Sequence, residues 1–169
     1  SSTQRNFSEN LKSRDGIRQY FEQLKNQRFA VAYEDGALIA FVSYKENYSC
    51  VEIPPKELPN IYISTLIVSP SARGKGVTKA LYGRLFSEYE NINIFTRTWS
   101  TNIAHIKILE KYEFKVIQVI KDDRGNGIDT VYLPLEASKE IRELPSEVKD
   151  RLNIIFASDY EDIYKSLFK

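Results

Sequence analysis

The chain has 169 residues, of which 28% are charged, and its 24 Lys and Arg nearly balance 23 Asp and Glu. This length suits one domain with a substantial core, and the balanced charge gives no reason to expect nucleic acid or an anionic membrane as a partner. No apolar run approaches the ~20 residues of a membrane span, and the single cysteine, Cys50, excludes an internal disulfide and a multi-cysteine zinc site.

The first elements in chain order are a helix and a hairpin. Asp15 can cap a helix whose apolar positions recur at helical spacing, namely Ile17, Tyr20, Phe21 and Leu24. Residues 28–33 and 38–44 are rich in β-branched and aromatic side chains, and the Glu-Asp-Gly sequence at 34–36 is a typical hairpin signal. A proline-rich loop then precedes the next strand, with Pro54, Pro55 and Pro59.

The most informative stretch comes next. The alternating, β-branched run from Ile61 to Val68 predicts a strand, which Ser69 and Pro70 end. A short basic loop at residues 73–76 follows. A helix is predicted after the loop, since apolar residues recur at helical spacing at Val77, Ala80, Leu81 and Leu85.

This strand, loop and helix form a candidate phosphate site. The free N–H groups and the positive dipole end of the helix point at whatever lies over the loop, and such a place suits a phosphate or pyrophosphate. Gly74 and Gly76 allow a ligand to approach the backbone closely, and Arg73 and Lys75 add positive charge. An ordinary strand–turn–helix corner is the alternative. Neither the P-loop pattern G-x-x-x-x-G-K-S/T nor the dinucleotide pattern G-x-G-x-x-G is present.

Residues 92–135 predict a further strand, a helix and a hairpin. Residues 92–98 predict a strand, and Ser100 or Thr101 can cap a helix after it. The expected buried stripe of that helix is Ile103, Ile106, Ile108 and Leu109. Residues 114–120 and 130–135 predict a final hairpin.

Two of these segments resemble the GNAT superfamily of N-acyltransferases. The loop is similar to the acyl-CoA-binding segment of that family at Arg73, Gly76 and Thr78, with Thr78 where the family usually has Gly or Ala. Residues 99–114 resemble the helix that packs beside the pantetheine arm, and Asn102 occupies the position whose side chain usually meets the cofactor. The resemblance covers about residues 14–135.

The resemblance implies an α+β (mixed α/β) fold of three layers. A mostly antiparallel mixed sheet has two central parallel strands that splay to admit the acyl-CoA arm, and helices cover both faces. We expect a GNAT domain at residues 1–135 and a C-terminal extension at 136–169. In the extension, residues 152–156 are apolar, and Asp159 can cap a last helix. The extension is a side wall of the substrate cleft, a subunit contact or simple packing over the sheet.

The resemblance also implies where acetyl-CoA binds. Its pyrophosphate should lie on the backbone of the loop and first helical turn, which comprises Arg73, Gly74, Lys75, Gly76, Val77 and Thr78. The pantetheine should pair like an additional strand with Leu66, Ile67 and Val68. A backbone N–H near Ile67 or Val68 is then the natural donor to the thioester oxygen.

The catalytic groups depart from the family pattern. Leu109 stands where many members carry a tyrosine that protonates the leaving thiolate, so His105 and Tyr112 are the candidate acids. We favour His105, whose ordinary pKa is near neutrality. The strand over 61–68 lacks the glutamate that many relatives use as a base, and Glu57 is a remote candidate acting through water.

These observations predict a cytoplasmic, metal-free N-acetyltransferase. It would transfer an acetyl group from acetyl-CoA to a primary amine by direct transfer, since no credible nucleophile is present. The acceptor is a small molecule or a protein amino group, and a homodimer is left open. A non-catalytic acyl-CoA-binding sensor, or an interaction domain of a larger protein, is the alternative.

Overall fold

The computed structural model describes residues 14–53, 57–135 and 151–158. Within these ranges the helices are α1 (Arg14–Leu24), α2 (Val77–Glu88) and α3 (Ile103–Lys111). The strands are β1 (Arg28–Glu34), β2 (Ala37–Glu46), β3 (Asn60–Val68), β4 (Asn93–Trp99), β5 (Gln118–Ile120), β6 (Thr130–Leu135) and β7 (Asn153–Ala157). The expectations for residues 1–13 and for a helix after Asp159 lie outside the described residues.

The strands form one sheet in the order β5-β6-β4-β3-β2-β1-β7. β3 and β4 are parallel, and the other neighbours pair antiparallel. α2 and α3 pack on one face, where Leu81 and Leu109 join a core that includes Ile61 and Ile63 of β3. α1 packs on the opposite face through Leu24. We call these the α2 face and the α1 face. The predicted three-layer fold with a mixed sheet is confirmed.

The two central strands separate partway along their length. Their parallel pairing runs from Asn60 opposite Asn93 to Ile63 opposite Thr96. The Thr96 hydroxyl donates to the Ile63 carbonyl over 3.1 Å at the last pair. Beyond this point β3 continues to Val68 and β4 to Trp99 without pairing to each other. We call this opening the splay.

A bulge in β3 lies directly beside the splay. Neighbouring residues of β2, Ser43 and Tyr44, pair with Thr65 and Ile63, so Ser64 is the extra residue on β3. The bulge shifts the alternation by one position. Ile61 and Ile63 before it, and Leu66 and Val68 after it, therefore all contact the core on the α2 face.

The ends of α3 differ from the sequence prediction. Neither Ser100 nor Thr101 caps this helix: Asn102 is the N-cap residue, and it makes no side-chain capping bond. The Ser100 hydroxyl instead accepts a hydrogen bond from the Asp129 N–H at 3.0 Å. Ile103, predicted to be buried, is 53% exposed at the first position of the helix.

Two further predictions need correction. Asp15 lies within α1 and not before it. The strand predicted over 114–120 is restricted to β5, because the chain must first leave α3 through Glu113, whose φ is +68°. Phe114 then returns to the core, with its N–H bonded to the Leu109 carbonyl at 3.1 Å and its side chain 3% exposed.

The described part of the C-terminal extension lengthens the sheet. β7 pairs antiparallel with β1, from Phe29 opposite Ala157 to Tyr33 opposite Asn153. Leu152, just before β7, is buried in the core on the α2 face. Residues 151–158 thus form an edge of the sheet. None of the helices in the described ranges is long and apolar enough to cross a bilayer.

Candidate functional site

The N-terminus of α2 is open to a ligand. Its N-cap residue is Gly76, in the left-handed region at φ +79°, with no side-chain capping bond and no acidic residue in the first turn. The Ala80 N–H makes a helical bond, to the Gly76 carbonyl at 3.0 Å. In an α-helix the N–H groups before that residue have no helical acceptor, so they can bind an anion at the positive dipole end.

The loop before α2 leaves room above its backbone and carries positive charge. Gly74 has φ +74°, and a Cβ on it would meet nothing within 4 Å. Arg73, Gly74 and Lys75 are exposed. The Arg73 Nε donates to the Val68 carbonyl at 3.3 Å, which ties the loop to the end of β3. The predicted pyrophosphate residues are therefore contiguous with the strand predicted to hold the pantetheine.

One side chain from far along the sequence joins this loop. The Arg151 Nη2 donates to the Lys75 carbonyl at 2.9 Å, and its Nε pairs with a Glu34 carboxylate oxygen at 2.7 Å. No motif in the sequence indicated this contact. Only the pairing of β7 with β1 brings Arg151 to the loop.

The edge of β3 that faces the splay carries the predicted pantetheine residues. Leu66 and Val68 are half-buried against the core, and Ile67 is 38% exposed. On the other edge all three pair with β2. Within the described residues no strand covers the β4-facing edge beyond Ile63. An extended ligand can pair with that edge as an added strand would.

Asn102 lies on the opposite side of the splay, at the start of α3. Its side-chain Nδ2 donates to the Thr98 hydroxyl of β4 at 3.2 Å, and its N–H donates to the Trp99 carbonyl at 2.9 Å. The side chain is half-buried. It therefore stands at the end of β4 and across the opening from the free edge of β3.

His105 forms a bond between α3 and α2. Its Nε2 lies 2.8 Å from the Tyr82 hydroxyl, and the tautomer of the ring decides which of the two donates. Burial lowers the pKa of His105 below its ordinary value and raises the pKa of Tyr82 above its own. Both side chains are thus uncharged at neutral pH, and a neutral imidazole is a poor proton donor. This argues against the predicted role of His105 as the acid.

The Tyr112 side chain also contacts α2. Its hydroxyl donates to the Lys79 carbonyl at 3.0 Å, and its ring packs edge-on against Tyr82 and Phe86, with centroids 5.8 and 5.4 Å apart. Burial raises the pKa of its phenol. Leu109, where relatives often carry a tyrosine, is 0% exposed. The geometry makes Tyr112 a clamp between helices and argues against its predicted role as the acid.

On the α1 face, the described side chains that bond to the bulge are polar and neutral. The Ser64 hydroxyl donates to the Gln27 side-chain oxygen, and it lies 2.9 Å from the Ser43 hydroxyl. The next residue, Thr65, shares a hydrogen bond of 2.8 Å with the Tyr20 hydroxyl of α1. Sequence reasoning identified the lack of a glutamate on β3 but not this network, because its members are far apart in the chain.

The remaining candidate, Glu57, lies away from the splay. Glu57 is half-buried and precedes β3 by three residues, and Asn60 and Ser64 are separated by about 13 Å at the usual rise of a strand. The chain thus places Glu57 beyond the far end of β3, and its role as a remote base stays a prediction. Cys50 is half-buried, and burial raises the pKa of its thiol, which disfavours a nucleophilic role.

Two protein-family models match the chain. The acetyltransferase (GNAT) family model matches residues 2–114, which include β3, the loop, α2 and α3. The model of the C-terminal proteolytic domain of Lon protease (S16) matches residues 116–169. The two matches meet inside one continuous sheet, because β5 and β6 follow residue 116. The domain boundary expected after residue 135 stays a prediction.

Solved structures share the fold. An acetyltransferase of the GNAT family from Bacillus cereus has a TM-score of 0.56 at 16% identity, over 79% of this chain and 88% of that one. The ribosomal-protein-S18-alanine N-acetyltransferase of Escherichia coli has a TM-score of 0.55 at 17% identity, over 75% and 81%. A Bacillus anthracis protein in complex with acetyl coenzyme A has a TM-score of 0.55 at 20% identity, over 70% and 68%. At these identities the likeness shows the fold alone.

The Lon likeness is short. The Lon protease of Mycoplasma genitalium is 43% identical over 42 residues, which are 25% of this chain and 5% of that protein. The mitochondrial Lon protease homolog of Drosophila melanogaster is 40% identical over 45 residues, 27% of this chain and 4% of that protein. The chain therefore spans about one twentieth of the length of these proteases.

Proposed function

The chain belongs to the GNAT family of acetyltransferases, and on that premise we propose that it transfers the acetyl group of acetyl-CoA to a primary amine. The observation that carries the proposal is the continuity of the free edge of β3 with the uncapped N-terminus of α2. An extended thioester arm and a diphosphate occur together in acyl-CoA, and the two features are joined in the order that this molecule needs.

The acyl donor binds along this continuous surface. The diphosphate lies on the N–H groups of the first turn of α2, beside Arg73 and Lys75, and the pantetheine lies along Leu66, Ile67 and Val68. A backbone N–H at the free edge, near Ile67 or Val68, donates to the thioester oxygen as negative charge develops on it. Asn102 contacts the pantetheine arm from the other side of the splay. The solved complex of a fold relative with acetyl coenzyme A supports this choice of donor.

The acceptor amine attacks in its neutral form. The bulge beside the free edge offers the hydroxyls of Ser64 and Thr65 and the Gln27 amide, none of which titrates near neutral pH. These groups can orient an amine but cannot remove its proton at a useful rate. The fraction of neutral amine in solution, together with water or the distant Glu57, therefore sets the supply of nucleophile.

We infer direct transfer of the acetyl group because the chain offers no suitable nucleophile to carry it. Cys50 is the only cysteine, and its thiol is held in the protonated form. The nitrogen–carbon bond forms first and gives a tetrahedral intermediate, and its collapse breaks the carbon–sulfur bond. The nitrogen gives up one proton to water, and the leaving thiolate takes one from water. A thiolate is a far better leaving group than an alkoxide, because a thiol is more acidic than an alcohol, so water suffices. His105 and Tyr112 hold α3 against α2.

The second candidate function is a non-catalytic acyl-CoA sensor or an interaction domain of a larger protein. The neutral bulge and the buried Leu109 favour it, since both remove groups that relatives use for proton transfer. Homodimerisation, cytoplasmic localisation and the domain boundary after residue 135 remain predictions.

One experiment separates the two functions. Purified protein is titrated with CoA in a calorimeter, and release of free thiol from acetyl-CoA is then followed with a panel of amines that includes polyamines, amino sugars and peptides with free N-termini. The proposal expects saturable CoA binding and thiol release with at least one amine. Tight binding without turnover across the panel would favour the sensor, and absence of CoA binding would overturn both.

A further inference from the structure

Arg151 connects three separate parts of the chain at the phosphate loop. It precedes β7, it pairs with Glu34 at the end of β1 over 2.7 Å, and it donates to the Lys75 carbonyl over 2.9 Å. The Glu34 side chain is 22% exposed and that of Arg151 is 41% exposed, so the pair is partly shielded from water. A planar guanidinium can make both contacts at once because its donors form a rigid fork.

The contacted carbonyl belongs to a peptide that adjoins a glycine of the loop. Lys75 lies between Gly74 and Gly76, which both have positive φ, and glycine allows the adjoining peptide planes to rotate with little steric cost. In a trans peptide the carbonyl of one residue and the N–H of the next point in opposite directions. A bond from Arg151 to the Lys75 carbonyl therefore also fixes the direction of the Gly76 N–H.

The direction of that N–H decides what a ligand meets. Gly76 is the N-cap residue of α2, and its N–H is one of the donors that the helix leaves open. Rotation of the peptide would present the Lys75 oxygen to an anion in place of the Gly76 N–H. Holding the carbonyl on the Arg151 side excludes that repulsive arrangement before the ligand arrives.

We propose that Arg151 is a positioning residue for the diphosphate of the acyl donor. It holds the loop in its anion-binding form and is itself held by Glu34. The inference rests on the proposed function and extends it, because it gives the C-terminal segment, which lies within the Lon-like match, a part in cofactor binding. The expected consequence is weaker binding of ligands that carry the diphosphate and unchanged handling of ligands that lack it.

The alternative is that Arg151 only fastens β7 to the sheet, and the chain offers a matched control for it. The Arg84 guanidinium lies over the Phe156 ring of β7, 4.7 Å from its centroid, and pairs with Glu88 on α2. Arg84→Gln removes an arginine contact between α2 and β7 without touching the loop. Arg151→Gln removes the fork, and Arg151→Lys keeps the charge but cannot span both acceptors.

The test is calorimetric titration of the 169-residue chain and these three variants with CoA, with thermal melting of each. We expect Arg151→Gln to bind CoA about tenfold more weakly, as the loss of a charge-assisted hydrogen bond implies, with Arg151→Lys between it and wild type. Arg84→Gln should bind normally. Turnover with S-acetylpantetheine, which lacks the diphosphate, should be equal in Arg151→Lys and wild type.

The Gly76 amide gives an independent readout in the free protein. Its proton and nitrogen shifts should move in Arg151→Gln and stay in place in Arg84→Gln. Normal CoA affinity in both Arg151 variants, or equal losses in Arg151→Gln and Arg84→Gln, would overturn this inference alone. If Arg151→Gln does not fold, Arg151→Lys carries the comparison. A wild-type protein that fails to bind CoA would overturn the proposed function and this inference with it.

Discussion

Replacing Gly76 with Asp should abolish useful CoA binding while leaving the protein folded. Gly76 has φ +79° at the N-cap of α2, and a left-handed conformation costs an L-residue about 1 kcal/mol. Relative to glycine, an N-cap Asp regains only a few tenths of a kcal/mol. The free energy of unfolding should therefore fall by about 1 kcal/mol, which leaves the protein folded.

The substitution mainly reduces the affinity for CoA. A carboxylate about 5 Å from one diphosphate charge is repelled by about 3 kcal/mol at an effective dielectric constant of about 20. At 1.4 kcal/mol for each factor of ten, affinity falls by about a hundredfold or more. The same carboxylate would also occupy the N–H groups that the phosphate needs, which moves affinity in the same direction.

Calorimetric titration with CoA, together with thermal melting, checks this prediction. Gly76→Asn is the matched control, since asparagine has the same shape, tolerates positive φ and lacks the charge. We expect it to retain most of the affinity that Gly76→Asp loses, and added salt should narrow the gap between the two. A folded Gly76→Asp protein with wild-type affinity would refute the phosphate assignment. Equal losses in both variants would show that shape, and not charge, decides binding.

Further predictions concern the ends of α3, His105 and the pH dependence of the reaction. Glu113→Gly should raise the free energy of unfolding by about 1 kcal/mol, because φ is +68° at this position and glycine adopts that conformation without strain. Chemical denaturation measures this change. No gain in stability would mean that the Glu113 side chain makes compensating contacts. Asn102→Ala should weaken CoA binding several-fold, the loss of about 1 kcal/mol for one hydrogen bond, at a nearly constant melting temperature. His105 is the one histidine, and its pKa lies below the ordinary 6.5. As the pH falls, His105 is therefore protonated more readily in the unfolded chain than in the folded protein. The free energy of unfolding of wild type should decrease as the pH falls through 6.5, whereas that of His105→Gln should stay constant between pH 7.5 and 5.5. Turnover of His105→Gln should fall far less than the roughly 10²-fold expected for a lost general acid. With no base on β3, kcat/KM should rise with pH up to the pKa of the acceptor amine, and an inflection that does not move between two amines would reveal an enzyme base.

The sequence predicts well what short-range periodicity determines. The strand ending at Val68, the glycine loop and the buried positions of α2 all follow from patterns within about 25 residues, and each is present. The bulge at Ser64 leaves no such trace, because Leu66, Ile67 and Val68 are all apolar and the sequence does not show which of them face the core.

Contacts between distant segments were beyond sequence reasoning. Periodicity identifies β7 as an apolar run but does not name β1 as its partner, because strand order is a property of the whole sheet. The bond from Arg151 to the loop depends on that order, and so it was not expected. The His105 and Tyr82 pair likewise needs α3 to lie against α2. Burial, which lowers the pKa of His105, could not be read from its place in a motif.

The pairing of β7 with β1 also joins ligand binding to local unfolding. An edge strand opens more readily than the centre of a sheet, and here its opening would draw Arg151 away from the Lys75 carbonyl. A ligand that prefers the closed loop must then stabilise the closed edge by the same free energy. Saturating CoA should slow amide hydrogen exchange in β7, which lies outside the proposed binding surface, and this protection should vanish in Arg151→Gln. Hydrogen exchange in β7 thus reports on ligand binding at the loop of residues 73–76, although the two segments are far apart in the sequence.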